Sequence, residues 1–163
     1  MTRRDPGTSR FDQLRSSLFV FGAWTLFSLA LHLVWEVAQL PLYTLWRDSA
    51  PAVIAWAVVH CTAGDGLIAL ATFAVACAWS RRVNWPWRSL SRGLPVLLLG
   101  GVAYTAFSEW RNVYRLGSWA YSEQMPTILG IGALPLAQWI VVPVVALWFL
   151  RRRGGSCPRR SPG

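Results

Sequence analysis

Four long stretches of the chain are almost wholly apolar, and polar residues collect between them. The first covers 18–42 and is broken only by His32, Glu36 and Gln39; Pro41 marks its end. The second covers 51–79, opens on Pro51 and stops at Ser80-Arg81-Arg82, with His60, Thr62 and Asp65 inside it. A third, 94–113, turns polar at Ser108-Glu109-Trp110-Arg111-Asn112, and the fourth, 131–150, runs into Arg151-Arg152-Arg153. A helix rising 1.5 Å per residue needs about 20 residues to cross about 30 Å of hydrocarbon, and each stretch meets that length. The pattern therefore predicts an all-α polytopic membrane protein, a four-transmembrane-helix bundle forming one domain. Pro143 inside the fourth stretch removes one backbone hydrogen bond and predicts a kink. The Arg/Pro/Gly/Ser segment 154–163 reads as a disordered tail.

Composition agrees with this reading. Of the 163 residues 54% are hydrophobic, mean hydropathy is +0.36, and eleven Trp and four Tyr supply rings suited to the headgroup level. The net charge of +9 comes from Arg alone. In a soluble chain it would point to nucleic acid, but the distribution along the sequence excludes that reading. Thirteen of the sixteen Arg lie before the first stretch, between the second and third, or after the fourth; only Arg47, Arg111 and Arg115 lie on the other connections. That asymmetry predicts an inner-membrane, multi-pass protein with both termini in the cytoplasm, in contact with membrane lipids. Cys61 and Cys77 share one stretch about 24 Å apart, and Cys157 lies in the tail, so no disulfide framework is expected. Neither an internal repeat nor a soluble phosphate-binding, serine-hydrolase or dinucleotide motif is present.

The chemistry sits in the polar interruptions. With each stretch centred in the bilayer, His32 and Glu36 fall about 3 and 9 Å outside the midplane, and His60 and Glu109 each about 8 Å. Gln138 lies on the same side and Asp65 near the centre. His32, Glu36 and Gln39 form one helical stripe; Thr105, Ser108, Glu109 and Asn112 form another. An ionised carboxylate costs roughly 2.5 to 3.5 kcal/mol at mid-bilayer, so Glu36, Asp65 and Glu109 are expected to face one another or a wet cavity. Two chemistries suit the set. Glu36 or Glu109 as acid or base, with His32 or His60 as partner, would act on a lipid or isoprenoid inside a cavity lined by Gln39, Thr105, Asn112, Tyr121 and Gln138. Alternatively, His32, Glu36, His60, Asp65 and Glu109 would ligate a divalent metal such as Zn or Fe. A haem between His32 and His60, ion-coupled transport by a homodimer, and polar groups that only tie helices together are further readings. Gly64, Gly66, Gly100 and Gly101 are expected to let helices approach closely. Tyr121, Ser122, Glu123 and Gln124 are expected to form a lid, with Arg111 and Arg115 above Glu109 available to acidic groups or to an anionic headgroup.

The segments HLVWEVAQLPLY, HCTAGD, SEWRNVYRLGSWAYSEQMP and GIGALPLAQWIVVP together resemble a family of small bacterial integral membrane proteins, a likeness that covers all four stretches and implies no activity. The His32-x-x-x-Glu36 pair, an acidic residue on a later helix and Gln138-Trp139 before Pro143 also resemble the emopamil-binding, sterol-isomerase-like bundles. That second resemblance implies acidic groups moving protons on a sterol-like substrate within a membrane cavity.

Overall fold

The computed structural model describes residues 10–154. Within them α1 spans Arg10–Gln39, α2 Leu45–Asp48, α3 Pro51–Ser80, α4 Trp85–Arg88, α5 Leu90–Trp110 and α6 Ala133–Gly154. Four segments, Asp12–Leu42, Pro51–Ser80, Leu90–Leu116 and Ala133–Arg153, are long and apolar enough to cross a membrane. Their boundaries follow local chemistry. Pro41 tightens the end of α1 into a 3₁₀ turn, Leu40–Leu42, and Pro51 occupies the first turn of α3, where its missing N–H costs nothing. Arg81 closes α3 in the left-handed region at φ 54°. The third helix starts one turn earlier than its apolar run, at Leu90, and continues beyond Trp110 as a wider π-helical turn, Arg111–Leu116. The fourth starts at Ala133, because Ile131 and Gly132 belong to a short strand instead. This is a correction to a purely helical reading: β1, Thr127–Ile128, pairs antiparallel with β2, Ile131–Gly132, through a tight turn in which Leu129 and Gly130 both have positive φ. Residues 1–9 and 155–163 lie outside the described residues; they include Cys157 and all of the expected tail except Gly154, which is the last residue of α6.

α1 packs on α3 and α6, and α5 packs on the same two, so the long helices form a ring in the order α1, α3, α5, α6. Each buries one stripe. On α1 the buried residues Val20, Trp24, Ser28 and His32 recur every four positions, and on α5 Gly93, Leu97, Gly101, Thr105 and Glu109 do the same. Both stripes are apolar or small at the end nearer the arginine-rich connections and polar at the other. In the apolar half Trp24, Phe73, Trp85, Leu97 and Trp139 interlock without exposure. Trp24 stacks on Phe73 with ring centres 4.8 Å apart, and its indole N–H donates to the carbonyl of Ala69 at 3.0 Å. Two glycines make the interior possible: the Trp85 ring lies on Gly93 and the Trp139 ring on Gly101, where any side chain would collide with them.

Candidate functional site

The polar ends of the four stripes converge on a cavity of about 300 Å³, whose lining includes Glu36, Gln39, Asp65, Thr105, Glu109 and Gln138. Glycines on α3 and α5 have different surroundings in the two halves of the bundle. At Gly100 the two helices nearly touch, a Cβ there falling 3.1 Å from Thr72, whereas at Gly64, two turns along α3, a Cβ would meet nothing within 4 Å. Exposed His60, Tyr104 and Arg111 edge the space, so its mouth is the gap between α3 and α5. Of the glycines expected to permit close approach, Gly66, Gly100 and Gly101 sit against Leu29, Thr72 and Trp139, while Gly64 opens the cavity.

The centre of the cluster is Gln138 on α6. Its Nε2 lies 2.7 Å from His32 Nδ1, 2.9 Å from Asp65 Oδ2 and 3.2 Å from Glu36 Oε1, so one amide joins α1, α3 and α6. His32 Nδ1 is also 3.4 Å from Asp65 Oδ2. Glu36 accepts a second bond from Gln39 Nε2 at 2.9 Å, and Gln39 is held in turn by the indole N–H of Trp35 at 3.1 Å. An amide nitrogen carries two hydrogens, yet three acceptor positions surround this one. The arrangement balances when His32 carries its ring proton on Nδ1, facing Asp65, or when one of the two carboxyl groups holds a proton. The His32 ring is wholly buried, tilted against Trp139 with centres 4.9 Å apart, and its Nε2 has no hydrogen-bond partner.

Glu109 forms a second carboxylate station. Its Oε2 accepts from Tyr121 at 2.7 Å and from Tyr43 at 3.4 Å, and the Tyr121 oxygen accepts the backbone N–H of Gly132 at 2.9 Å. The two tyrosines belong to the connections that follow α1 and α5, which are tied together by a bridge between Tyr43 and Tyr121. Thr44 N–H donates to Ala120 O at 3.0 Å and Ser122 N–H to Leu42 O at 2.9 Å across the same seam. Burial, reinforced by the neighbouring Glu109 carboxylate, pushes both phenols above the ordinary tyrosine range. They are therefore hydrogen-bond donors to Glu109 at neutral pH.

Several expectations need correction. His60 does not join His32: it is exposed, lies beside Trp56 with ring centres 5.9 Å apart, and reaches the cavity only at its edge. Five residues separate it from Asp65, about 140° around the helix, and α3 does not bring both to one point. The pair of imidazoles required for a haem is accordingly divided between a sealed interior and an open rim. The metal set His32, Glu36, His60, Asp65 and Glu109 is divided likewise, and among the described residues no three His, Cys, Asp or Glu side chains group to hold a metal ion. Of the expected lid, Tyr121 and Ser122 are strapped down, while Glu123 and Gln124 are exposed on a turn. Arg111 stands at the cavity rim, but Arg115 lies over the Trp110 ring at 5.5 Å.

Sequence reasoning overlooked Tyr43, Trp35 and Cys61. Tyr43 and Cys61 line the cavity and Trp35 supports Gln39 from behind. Trp35 was legible as the residue four before Gln39, a helical neighbour. Tyr43 was not, since its partner lies 66 residues away. Comparison with protein-family models, curated proteins and solved structures finds no match to this chain.

Proposed function

We propose that this is a multi-pass inner-membrane protein with both termini in the cytoplasm, and that its cavity is an intramembrane acid–base site acting on a lipid or isoprenoid. The observation that carries the reading is the sharing of one amide, Gln138 Nε2, by His32, Glu36 and Asp65 at a cavity whose mouth lies between two long apolar helices. Two carboxyl groups and an imidazole with a proton to exchange supply both an acid and a base, and a lateral mouth admits a substrate dissolved in the bilayer. Glu36 and Asp65 exchange the proton, His32 and Gln138 relay and orient it, and Glu109 with its two tyrosines forms the polar roof. Arg111 at the rim receives a polar headgroup. His60 has no catalytic part in this scheme.

The test works with the substrate still unidentified. Purified protein is incubated with a total lipid extract in deuterated water, and the lipids are examined by mass spectrometry for deuterium in carbon-bound positions. Wild type is expected to incorporate deuterium; Glu36→Gln and Asp65→Asn are expected to remain folded and incorporate none. No incorporation by wild type above a protein-free control would defeat the proposal. A second reading is favoured by the same amide, which ties α1, α3 and α6: the network only holds helices together. Under it both variants lose helix packing, which thermal unfolding in detergent would register.

A further inference from the structure

The opposite end of the bundle has a feature that the acid–base reading does not use. A groove of about 420 Å³ runs between α5 and α6, with Leu90, Leu94, Val144 and Leu147 along its apolar walls. Trp148 forms part of one wall, and Arg151 and Arg152 stand at the groove's end. Seven residues separate Val144 from Arg151, so the apolar part is about 10 Å deep along the helix axis. The order of chemistry along it is that of half a bilayer: aliphatic walls, then an indole, then two guanidinium groups. Arg152 is fixed over the Trp148 ring at 3.8 Å, and the backbone carbonyl of Arg151 accepts the Trp87 indole N–H at 3.4 Å. Both cations lie on the last turn of α6, where the helix dipole favours positive charge. They are exposed at the head of a slot that lies within the apolar segment of the helix.

We infer that this groove binds one anionic glycerophospholipid, an acyl chain lying along Leu90, Leu94, Val144 and Leu147 and the phosphate held by Arg151 and Arg152. Charge complementarity selects the occupant: two guanidinium-bearing residues at the groove's end suit a phosphodiester, and a zwitterionic headgroup would bring a cation to the same place. The inference rests on the membrane reading alone and is independent of the acid–base site. Resistance of the expressed protein to alkaline extraction from membranes checks that reading separately.

The experiment uses delipidated full-length protein in a mild detergent, titrated with phosphatidylglycerol, phosphatidylcholine or glycerol 3-phosphate. Native mass spectrometry counts the lipid bound, and thermal unfolding reports its effect. Phosphatidylglycerol is expected to bind once per chain and raise the unfolding temperature; the other two probes are expected to do neither. The R151A/R152A variant should lose affinity by about tenfold or more. Val144→Trp, which fills the groove and leaves the arginines in place, should lose it as well. Because R151A/R152A is at the surface of the helix, its fold is expected to survive, and its unfolding temperature without lipid verifies this. An R81A/R82A variant, which removes two arginines outside the groove, should bind like wild type. Equal binding of phosphatidylcholine, binding of glycerol 3-phosphate alone, or an equal loss in R81A/R82A would overturn the assignment. So would a lipid-independent dimer abolished by Val144→Trp, which would make a second copy of the chain the occupant.

Discussion

The two halves of this bundle use the same four helices and the same buried stripes to opposite ends. Toward the arginine-rich connections the interior is aromatic and closed, with indole rings seated on bare glycine backbone. Toward the other end the glycine at the corresponding interface, Gly64, faces open space, and the stripe residues are His32, Glu36, Asp65, Glu109 and Gln138. The difference teaches how a small bundle keeps a polar hollow. Carboxyl groups inside an apolar fold are tolerated when every one is hydrogen-bonded, and here the bonds come from Gln138, Gln39, Tyr43 and Tyr121. Rigidity is supplied by the aromatic half, and protonatable groups are displayed by the other.

The sharpest way to break this comparison is to substitute the two kinds of glycine. Gly101→Ala places a methyl group into the Trp139 ring, which has no exposed side to retreat to, and is expected to destabilise the bundle by roughly 2–3 kcal/mol. Thermal or chemical unfolding in detergent measures it, and a neutral result would mean that the aromatic half is not tightly packed. The strap across the polar end comes next in size. Tyr121→Phe deprives Glu109 of its 2.7 Å donor and Gly132 N–H of its acceptor, at an expected cost of about 1–3 kcal/mol. Hydrogen exchange should rise in 119–132 and leave the aromatic half protected.

The same strap has a pH signature. Because the folded-state pKa of Tyr121 is raised, its contribution is complete below the unfolded tyrosine value of about 10 and is lost as pH climbs above it. Wild type should therefore lose protection of 119–132 in alkaline solution, and Tyr121→Phe should show a smaller alkaline change. Smallest of all is the effect expected for Gly64→Ala, which adds a methyl group to empty space and should alter stability by no more than about 0.5 kcal/mol. A large loss there would mean that α3 and α5 close over the cavity.

How much could be read from the sequence differs between the site and its frame. The stripes His32, Glu36, Gln39 and Thr105, Ser108, Glu109, Asn112 follow from helical periodicity, and the structure brings members of both to one cavity. Their pairing was not legible. Asp65 meets His32 and Gln138, whereas His60, on the same helix and at a depth closer to Glu36, is turned outward. The seam between Tyr43 and Tyr121 depends on two connections whose sequences carry no pattern that relates them.

The sequence by itself located four apolar helices and which residues share a face of each, because helix geometry and proline are local matters, although α1 and α5 begin eight and four residues before their apolar runs. Even there it missed the hairpin at Thr127–Gly132, since two-residue strands give no periodic signal. Only the tertiary structure decided which faces meet: that the Trp85 and Trp139 rings rest on Gly93 and Gly101, and that one amide serves His32, Glu36 and Asp65. Those are distances between residues as many as 106 positions apart, fixed by the rotation and register of packed helices rather than by anything a single helix encodes.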